Sequence, residues 1–226
     1  MDEAPDPDWI PIFPLENVVL FPKVRLPLHI FELRYRQMTR EVLAGDSRIG
    51  MVTAVPERVQ DTGGTPAVFN IGCEGIISDQ ERLPDGRYNI VLLGLYRFRI
   101  LEEQIPNHER AYRVARIERL AEIPASGDAE EDEIAQQRSE IVQRMAEWLR
   151  RTNGNPEESI SEELLRPFDD ETFVNMLAQS IDFAPAEKQA LLECDAVLQR
   201  IRELNGLLQF RLSELSSRSA GQTPLH

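Results

Sequence analysis

The sequence predicts an α+β protein in which a β-rich part precedes a helical part. Residues 10–35 are rich in β-branched and aromatic side chains, but four prolines interrupt them and exclude a long helix. A strong turn signal, Leu83-Pro84-Asp85-Gly86, separates two further segments of strand-like composition. Near the carboxyl end, apolar residues from 197 to 215 recur every three or four positions, as on one face of a helix.

The opening stretch, IPIFPLENVVLFPKVRLPLHIFELRY, predicts a strand, a kink, a second strand and then a helix. Prolines in sheets are found at edges, bulges or strand starts, which favours short strands here. The helix is predicted from about Glu32 to Leu43. Its apolar stripe is Phe31, Tyr35, Met38 and Val42. This spacing predicts that Phe31 and Tyr35 pack in the core.

The next segments predict a small, curved sheet. Strands are expected over residues 48–55 and 68–77, with a loop at 61–66. The turn at residues 83–86 predicts a hairpin that pairs 75–82 with 87–93. Along the following strand, Tyr96, Phe98 and Ile100 alternate with Arg97 and Arg99. We therefore expect the two arginines to face solvent. A last strand is predicted from about residue 112 to 120.

The carboxyl-terminal part predicts helices. Acidic residues 128–133 favour a helix start because they complement the helix dipole, and that helix is expected to reach about Arg151. Its apolar face is Ile134, Ile141, Met145 and Trp148. Asp169 is a predicted N-cap, and Pro185 fits the first position of the next helix. The last helix carries Val197, Ile201, Leu204, Leu208, Leu212 and Leu215 on one side.

Charge also divides the chain. The formal net charge is −14, and residues 1–122 hold 19 acidic and 15 basic groups, whereas residues 123–226 hold 20 and 10. We therefore predict a β-rich subdomain at 9–122, a helical subdomain at 123–216, and flexible tails at 1–8 and 217–226. The acidic balance disfavours a nucleic-acid surface, which requires clustered Lys and Arg.

Three ordered segments carry a family resemblance. PIFPLENVVLFPKVRLPLHIFELRYRQM (11–38), IGCEGIISDQERLPDGRYNIVLLGLYRFRIL (71–101) and LAQSIDFAPAEKQALLECDAVLQRIRELNGLL (177–208) resemble the Lon N-terminal domain. This is the substrate-recognition domain of the ATP-dependent Lon protease. It also forms small stand-alone bacterial proteins, which this chain resembles more closely, and is found in cereblon. The resemblance implies a PUA-like bent β pseudo-barrel with one helix, followed by a helical bundle.

The resemblance also implies a function without catalysis. It points to recognition of unfolded or hydrophobic protein segments, with a separate protease or chaperone as a further partner. Lon proteolysis uses a Ser–Lys dyad in another domain, and the two lysines here, Lys23 and Lys188, match the recognition domain. The sequence holds no P-loop, no G-x-S-x-G and no H-E-x-x-H pattern. We therefore expect no enzymatic activity and no cofactor.

Other reactive side chains have ordinary explanations. His29 lies beside apolar neighbours and is expected to be partly buried, whereas His108 lies in a polar segment and is expected to be solvated. The three histidines, His29, His108 and His226, lie too far apart to suggest a shared triad or metal site. The acidic residues 128–133 lack the ligand spacing of an EF-hand, so no metal site is predicted. Cys73 and Cys194 lie far apart without a C-x-x-C pattern, which indicates buried thiols.

Two binding modes remain open for a client polypeptide. A peptide strand could add to a free sheet edge, or apolar side chains could enter a cleft between the two parts, for which Phe21 and Trp148 are the candidate contacts. The alternative function is a PUA-like nucleic-acid-binding protein that uses Arg97 and Arg99 as a basic strip. Glu102 and Glu103 favour local charge pairing instead.

The expected location is the cytoplasm. The acidic, proline-rich start lacks the basic and apolar regions of a secretory signal. No apolar run approaches the roughly 20 residues that span a membrane. Oligomeric state is left open by the sequence.

Overall fold

The computed structural model describes residues 9–55, 66–153 and 165–220 and confirms the α+β class. The chain divides into two units. Unit 1 comprises Met1–Ala121 and Asn175–Glu193, and unit 2 comprises Glu122–Val174 and Cys194–His226. The predicted tail 1–8, most of the predicted loop at 61–66 and the last six residues lie outside the described residues.

The described strands all belong to unit 1. They are β1 (Trp9–Leu15), β2 (Arg25–Ile30), β3 (Arg48–Thr53), β4 (Ile71–Arg82), β5 (Tyr88–Gln104) and β6 (Arg113–Leu120). Their order is β2-β5-β4-β3-β1-β6, and β5 also pairs with β6. This additional pairing closes five strands into a barrel and leaves β2 attached to the first half of β5. The predicted bent β pseudo-barrel is confirmed.

The barrel interior is filled by side chains of alternating strand positions. The core cluster consists of Ile10, Ile12, Val52, Phe98, Ala115 and Ile117. Register shifts in the β4–β5 pair, one of them beside Gly75, mark bulges that bend the two strands. Gly94 lies at the same bulge, with its backbone bonded to the segment that precedes β2: Lys23 N donates to its oxygen at 2.8 Å.

The described residues form five helices, of which the first, α1, belongs to unit 1. They are α1 (Leu33–Leu43), α2 (Asp128–Asn153), α3 (Asp170–Ser180), α4 (Pro185–Glu193) and α5 (Val197–Ala220). Helix α1 packs through Tyr35, whose ring centroid lies 4.3 Å from that of Phe13. The predicted burial of Phe31 is wrong: it is 62% exposed, because α1 begins only at Leu33 and the helical stripe does not extend back to it.

The predicted exposure of Arg97 is also wrong. Arg97 is 1% exposed and donates to the carbonyl oxygens of Leu192 at 3.3 Å and Ala121 at 3.5 Å. Helix α4 covers this side of the strand, where Gln189 also donates to the Ile71 carbonyl at 3.0 Å. The alternation of residues along β5 could not reveal that α4, which lies far away in the sequence, packs on this face.

Unit 2 is built on two parallel helices, α2 and α5. Glu133 pairs with Arg202 at 2.6 Å near one end, and Arg151 donates to Ser216 at 2.6 Å near the other. The predicted stripe of α5 is buried from Val197 to Leu212. The helix continues to Ala220, four residues past the boundary predicted at 216.

The caps predicted for the shorter helices are in place. Asp169 Oδ1 accepts from Thr172 N at 2.7 Å at the start of α3, and α4 begins at Pro185. The sequence-based division at 122/123 treats the subdomains as consecutive, whereas unit 1 takes in residues 175–193 as well.

Candidate functional site

Strand β2 forms one end of the strand order, so among the described strands it pairs only with β5. Its outer edge is therefore a place where another chain could add. Pro27 lies in the middle of β2 and has no backbone N–H to donate. Prolines of this kind limit strand addition at an exposed edge. Recognition through side chains is favoured here over an extended backbone ladder.

Two large apolar side chains follow β2 and stand in solvent. Phe31 is 62% exposed and Leu33 is 77% exposed. Phe31 lies between the strand and α1, where its ring stacks beside His29 with a centroid separation of 6.4 Å. Leu33 is the first residue of α1, on the side opposite to buried Tyr35 and Met38. Phe31 and Leu33 lie where the chain turns from the end of β2 into the start of α1.

A shallow groove of about 420 Å³ lies on the exposed face of the β2-β5-β4 ribbon. Two cross-strand rows form it: Pro27, Val91 and Asp79, then His29, Asn89 and Glu81. The first row supplies apolar floor, and the β4 positions supply two carboxylates. We call this the β2 groove, and together with Phe31 and Leu33 we call it the β2 surface.

Hydrogen bonds fix the second row of the β2 groove. His29 Nδ1 lies 2.7 Å from Asn89 Oδ1, and its Nε2 lies 3.1 Å from an Arg87 nitrogen. Because a guanidinium can only donate, Nε2 accepts and Nδ1 carries the proton. Asn89 in turn donates to Glu81 at 2.9 Å. His29 is exposed rather than partly buried as predicted.

The β4–β5 turn holds Arg87 in that network. Gly86 has a φ of 83°, a conformation that side chains with a Cβ rarely adopt. Arg36 of α1 donates to the Asp85 carbonyl at 3.0 Å, which ties the turn to the helix. The backbone N–H of Arg87 and its guanidinium both donate to the Asp85 carboxylate and lower the pKa of that carboxyl. The Asp85 carboxylate thus balances the positive charge of Arg87 within the same turn.

A second concave site lies within unit 2. It is a pocket of about 890 Å³ with a buried apolar floor that includes Ile134, Leu165 and Phe173. The Arg138 guanidinium lies 4.3 Å from the centroid of Phe173 and pairs with Asp170 at 2.5 Å. The size matches pockets that hold a small ligand or a large side chain.

The structure places the two predicted contact residues differently. Phe21 is 0% exposed and forms part of the unit 1 core, so it offers no surface to a ligand in this conformation. Trp148 is half-buried on α2. The role of Trp148 stays a prediction, and the β2 surface does not include Phe21.

Tyr112 and Glu41 form a close polar pair whose pKa values are not suited to acid–base catalysis. Tyr112 donates to Glu41 at 2.6 Å, and burial together with this bond raises the Tyr112 pKa to about 12. Burial raises the pKa of Glu41, but hydrogen bonds from Tyr112 and Gln37 outweigh it and lower the pKa overall. Both values move away from neutrality, where a general acid or base works best. Lys188 donates to the Gln179 carbonyl rather than to a serine.

Metal clusters and membrane-spanning helices are both absent from the described residues. No group of three or more His, Cys, Asp or Glu side chains is placed to hold a metal ion there. Likewise, within the described ranges no helix combines the length and apolar character needed to cross a bilayer.

Basic side chains on β5 and β6 are paired with acidic ones. Arg99 pairs with Glu118 at 2.9 Å and Arg116 with Glu102 at 3.4 Å. Arg97 is buried, so the two arginines do not form a basic strip. This arrangement weighs against phosphate binding on this face.

Sequence reasoning missed the β2 surface. Extending the α1 stripe back to Phe31 places that residue in the core, and Asp79 and Glu81 look like ordinary solvated strand residues. One signal in the sequence could have corrected this. Glu32 directly precedes the helical pattern, and residues before a helix start do not follow the periodicity of the helix, so Phe31 lies outside the apolar stripe. The side chains of β4 and β2 come together because both strands pair with β5, and no local sequence pattern reveals the register of those two pairings.

Comparison with known proteins agrees with this fold. A Lon protease of Trichlorobacter lovleyi is 29% identical over 210 residues, covering 92% of this chain and 24% of the relative. A Lon protease of Cytophaga hutchinsonii is 25% identical over 227 residues, covering 100% of this chain and 27% of the relative. The chain thus spans about a quarter of the length of these relatives.

Two solved structures share the architecture. A Lon N-terminal domain protein from Xanthomonas campestris matches with a TM-score of 0.60 at 21% identity, covering 87% of this chain and 96% of that one. The N-terminal domain of a Mycobacterium avium complex Lon protease matches with a TM-score of 0.67 at 18% identity, covering 89% and 98%. The family model of the ATP-dependent protease La (LON) substrate-binding domain matches residues 9–209. This chain therefore belongs to the Lon substrate-binding domain family.

Proposed function

We propose that this chain is a non-catalytic polypeptide-recognition module that binds unfolded or hydrophobic protein segments through the β2 surface. The observation that carries the proposal is the exposure of Phe31 and Leu33 beside a sheet edge that is free among the described strands. Exposed apolar side chains placed together favour a partner that removes them from water. Membership of a substrate-binding family supports the same conclusion.

The β2 surface is preferred over the pocket of unit 2 for a physical reason. Phe31 and Leu33 already project from a rigid strand–helix junction, so a client segment gains contacts without opening the protein. The pocket floor is apolar, but Arg138 spans it between Phe173 and Asp170. Both sites accept apolar side chains, and the first experiment separates them.

Replacing Phe31 and Leu33 together with serine is expected to weaken binding of an unfolded protein by about tenfold, because the apolar contacts are lost. Fluorescence anisotropy with a labelled, reduced and carboxymethylated protein measures this. The melting temperature should hardly change, since both residues are exposed.

The matched control is Ile105→Ser, which removes a 71% exposed apolar side chain that follows the opposite end of β5. We expect its binding to equal that of the natural protein. Ala135→Trp fills the unit 2 pocket from an exposed helix position. A loss of binding in that variant, with none in the Phe31 and Leu33 variant, would show that the pocket is the site instead.

We further expect no proteolysis and no ATP hydrolysis. The sequence lacks the motifs for either reaction, and the Tyr112–Glu41 pair described above has pKa values displaced from neutrality. Incubation with casein and ATP should release neither fragments nor phosphate. Cleavage above a mock-purified control that follows the protein through a second column would contradict this prediction.

A further inference from the structure

We infer that the β2 groove selects client segments that carry a lysine or arginine among apolar residues. This inference rests on the proposed polypeptide recognition and specifies the class of segment that the same surface takes. It depends on the uncompensated charge of the groove, on the shape of its floor and on the position of Phe31 beside it.

The two carboxylates of the groove share one face of the ribbon. Asp79 and Glu81 are two positions apart on β4 and therefore point the same way. Both are exposed. Glu81 accepts from Asn89 and Asp79 accepts from the backbone of Gln80, so their hydrogen-bond partners are neutral. Neither forms an ion pair with a described residue.

The nearby cations do not neutralise these carboxylates. Arg87 pairs with Asp85 at 2.6 Å, and its contact with the groove is the hydrogen bond of 3.1 Å to His29 Nε2. Arg82 belongs to the next row, opposite Tyr88, and faces the other side of the ribbon. Arg25 is opposite Leu93, one row beyond the groove, and among the described contacts no ion pair joins it to Asp79. The groove therefore presents two negative charges.

The floor of the groove suits a long side chain with a charged end. Pro27 and Val91 place an apolar strip between the free edge and the carboxylates. Lys and Arg have long aliphatic stems that cover apolar surface while the charged head remains in a polar position. A stem lying over Pro27 and Val91 brings its head to Asp79 or Glu81. A carboxylate side chain in the same place would be repelled.

Phe31 lies close enough to the groove for one segment to contact both. In an extended segment, side chains on one face repeat about every 7 Å, so a cation and an apolar residue can occupy neighbouring positions. The Phe31 ring lies beside His29 at the end of the groove. One extended segment can thus place its apolar residue on Phe31 and its cation in the groove.

The test uses three fluorescent peptides that differ only at one central position within an apolar sequence: lysine, glutamine or glutamate. At about 0.01 M salt, where the screening length is about 30 Å, we expect the lysine peptide to bind about fivefold more tightly than the glutamine peptide. The glutamate peptide should bind most weakly. The preference should shrink at about 0.3 M salt because exposed charges are screened.

The decisive variant is Asp79→Asn combined with Glu81→Gln. We expect the lysine peptide to lose affinity until its preference over the glutamine peptide falls below about twofold. The control, Glu109→Gln with Asp132→Asn, makes the same change in net charge at exposed positions that do not line the groove and should keep the preference. Glu81→Lys leaves the groove without net charge, since Asp79 remains, and should likewise abolish the lysine preference.

The outcomes distinguish a failure of the inferred lysine preference from a failure of the proposed polypeptide recognition. If lysine and glutamine peptides bind equally to the natural protein, or if the groove variant keeps the preference, the inference fails but polypeptide recognition stands. If the control loses the preference as fully as the groove variant, overall charge is responsible and the inference again fails. If none of the three peptides binds, the proposed function itself is overturned.

Discussion

Replacing Gly94 with alanine is expected to destabilise unit 1 by about 3 kcal/mol or more, at the upper end of overpacking effects. The added Cβ would lie 2.0 Å from the Phe21 carbonyl oxygen and 3.1 Å from the Pro22 Cα. Both contacts are with backbone, which cannot rotate away. The segment before β2 would have to move, although the Pro22 carbonyl is bonded to Asn175 at 3.1 Å. Urea denaturation followed by circular dichroism measures the loss.

A glycine in α5 provides a control of opposite sign. A Cβ added at Gly206 would meet no heavy atom of another element within 4 Å. Alanine there should stabilise the helix by about 0.5–1 kcal/mol, because glycine loses more backbone entropy in a helix. If Gly94→Ala proves as neutral as an ordinary surface change, the close approach of residues 21–24 to β5 is wrong.

Replacing Leu204 with aspartate is expected to destabilise unit 2 by about 3–5 kcal/mol, because an unpaired charge would be buried. Leu204 is 0% exposed and lies in the middle of the buried stripe of α5. Thermal unfolding monitored at 222 nm should show a lower midpoint for the helical signal. Client binding to the β2 surface provides a separate readout for unit 1.

The matched control is Phe210→Asp on the same helix, where the side chain is 56% exposed. We expect its effect to stay below about 1 kcal/mol. An unchanged midpoint for Leu204→Asp would mean that this face of α5 does not form the core of unit 2.

Local chemistry was sufficient to predict most elements. Proline placement and β-branched residues identified β1 and β2, and the Leu83–Gly86 turn identified the β4–β5 hairpin. The caps at Asp169 and Pro185 located α3 and α4, because capping depends on residues a few positions apart. Each of these signals involves residues only a few positions apart, so it can be recognised from the sequence.

Features that depend on distant residues could not be predicted. Arg97 looks like a solvated strand position until α4, nearly 90 residues later, covers it and supplies the Leu192 carbonyl. The β2 groove requires Pro27 and Asp79 to lie on either side of Val91, which is set by the register of β5 with two different strands. The error at Phe31 was of another kind: it came from assigning one residue too many to a periodic pattern.

The discontinuity of unit 1 has a consequence for how the protein is made. Chains leave the ribosome from the amino end, so β1 to β6 emerge well before residues 175–193, which belong to the same unit. Until then the guanidinium of Arg97 lacks the Leu192 carbonyl, and the Pro22 carbonyl lacks Asn175. Hydrogen bonds that are still missing from a forming core make its closure less favourable. We therefore expect the barrel to stay incomplete until residues 175–193 follow, after all of α2 has been synthesised, and a fragment cut at residue 122 should keep that incomplete state.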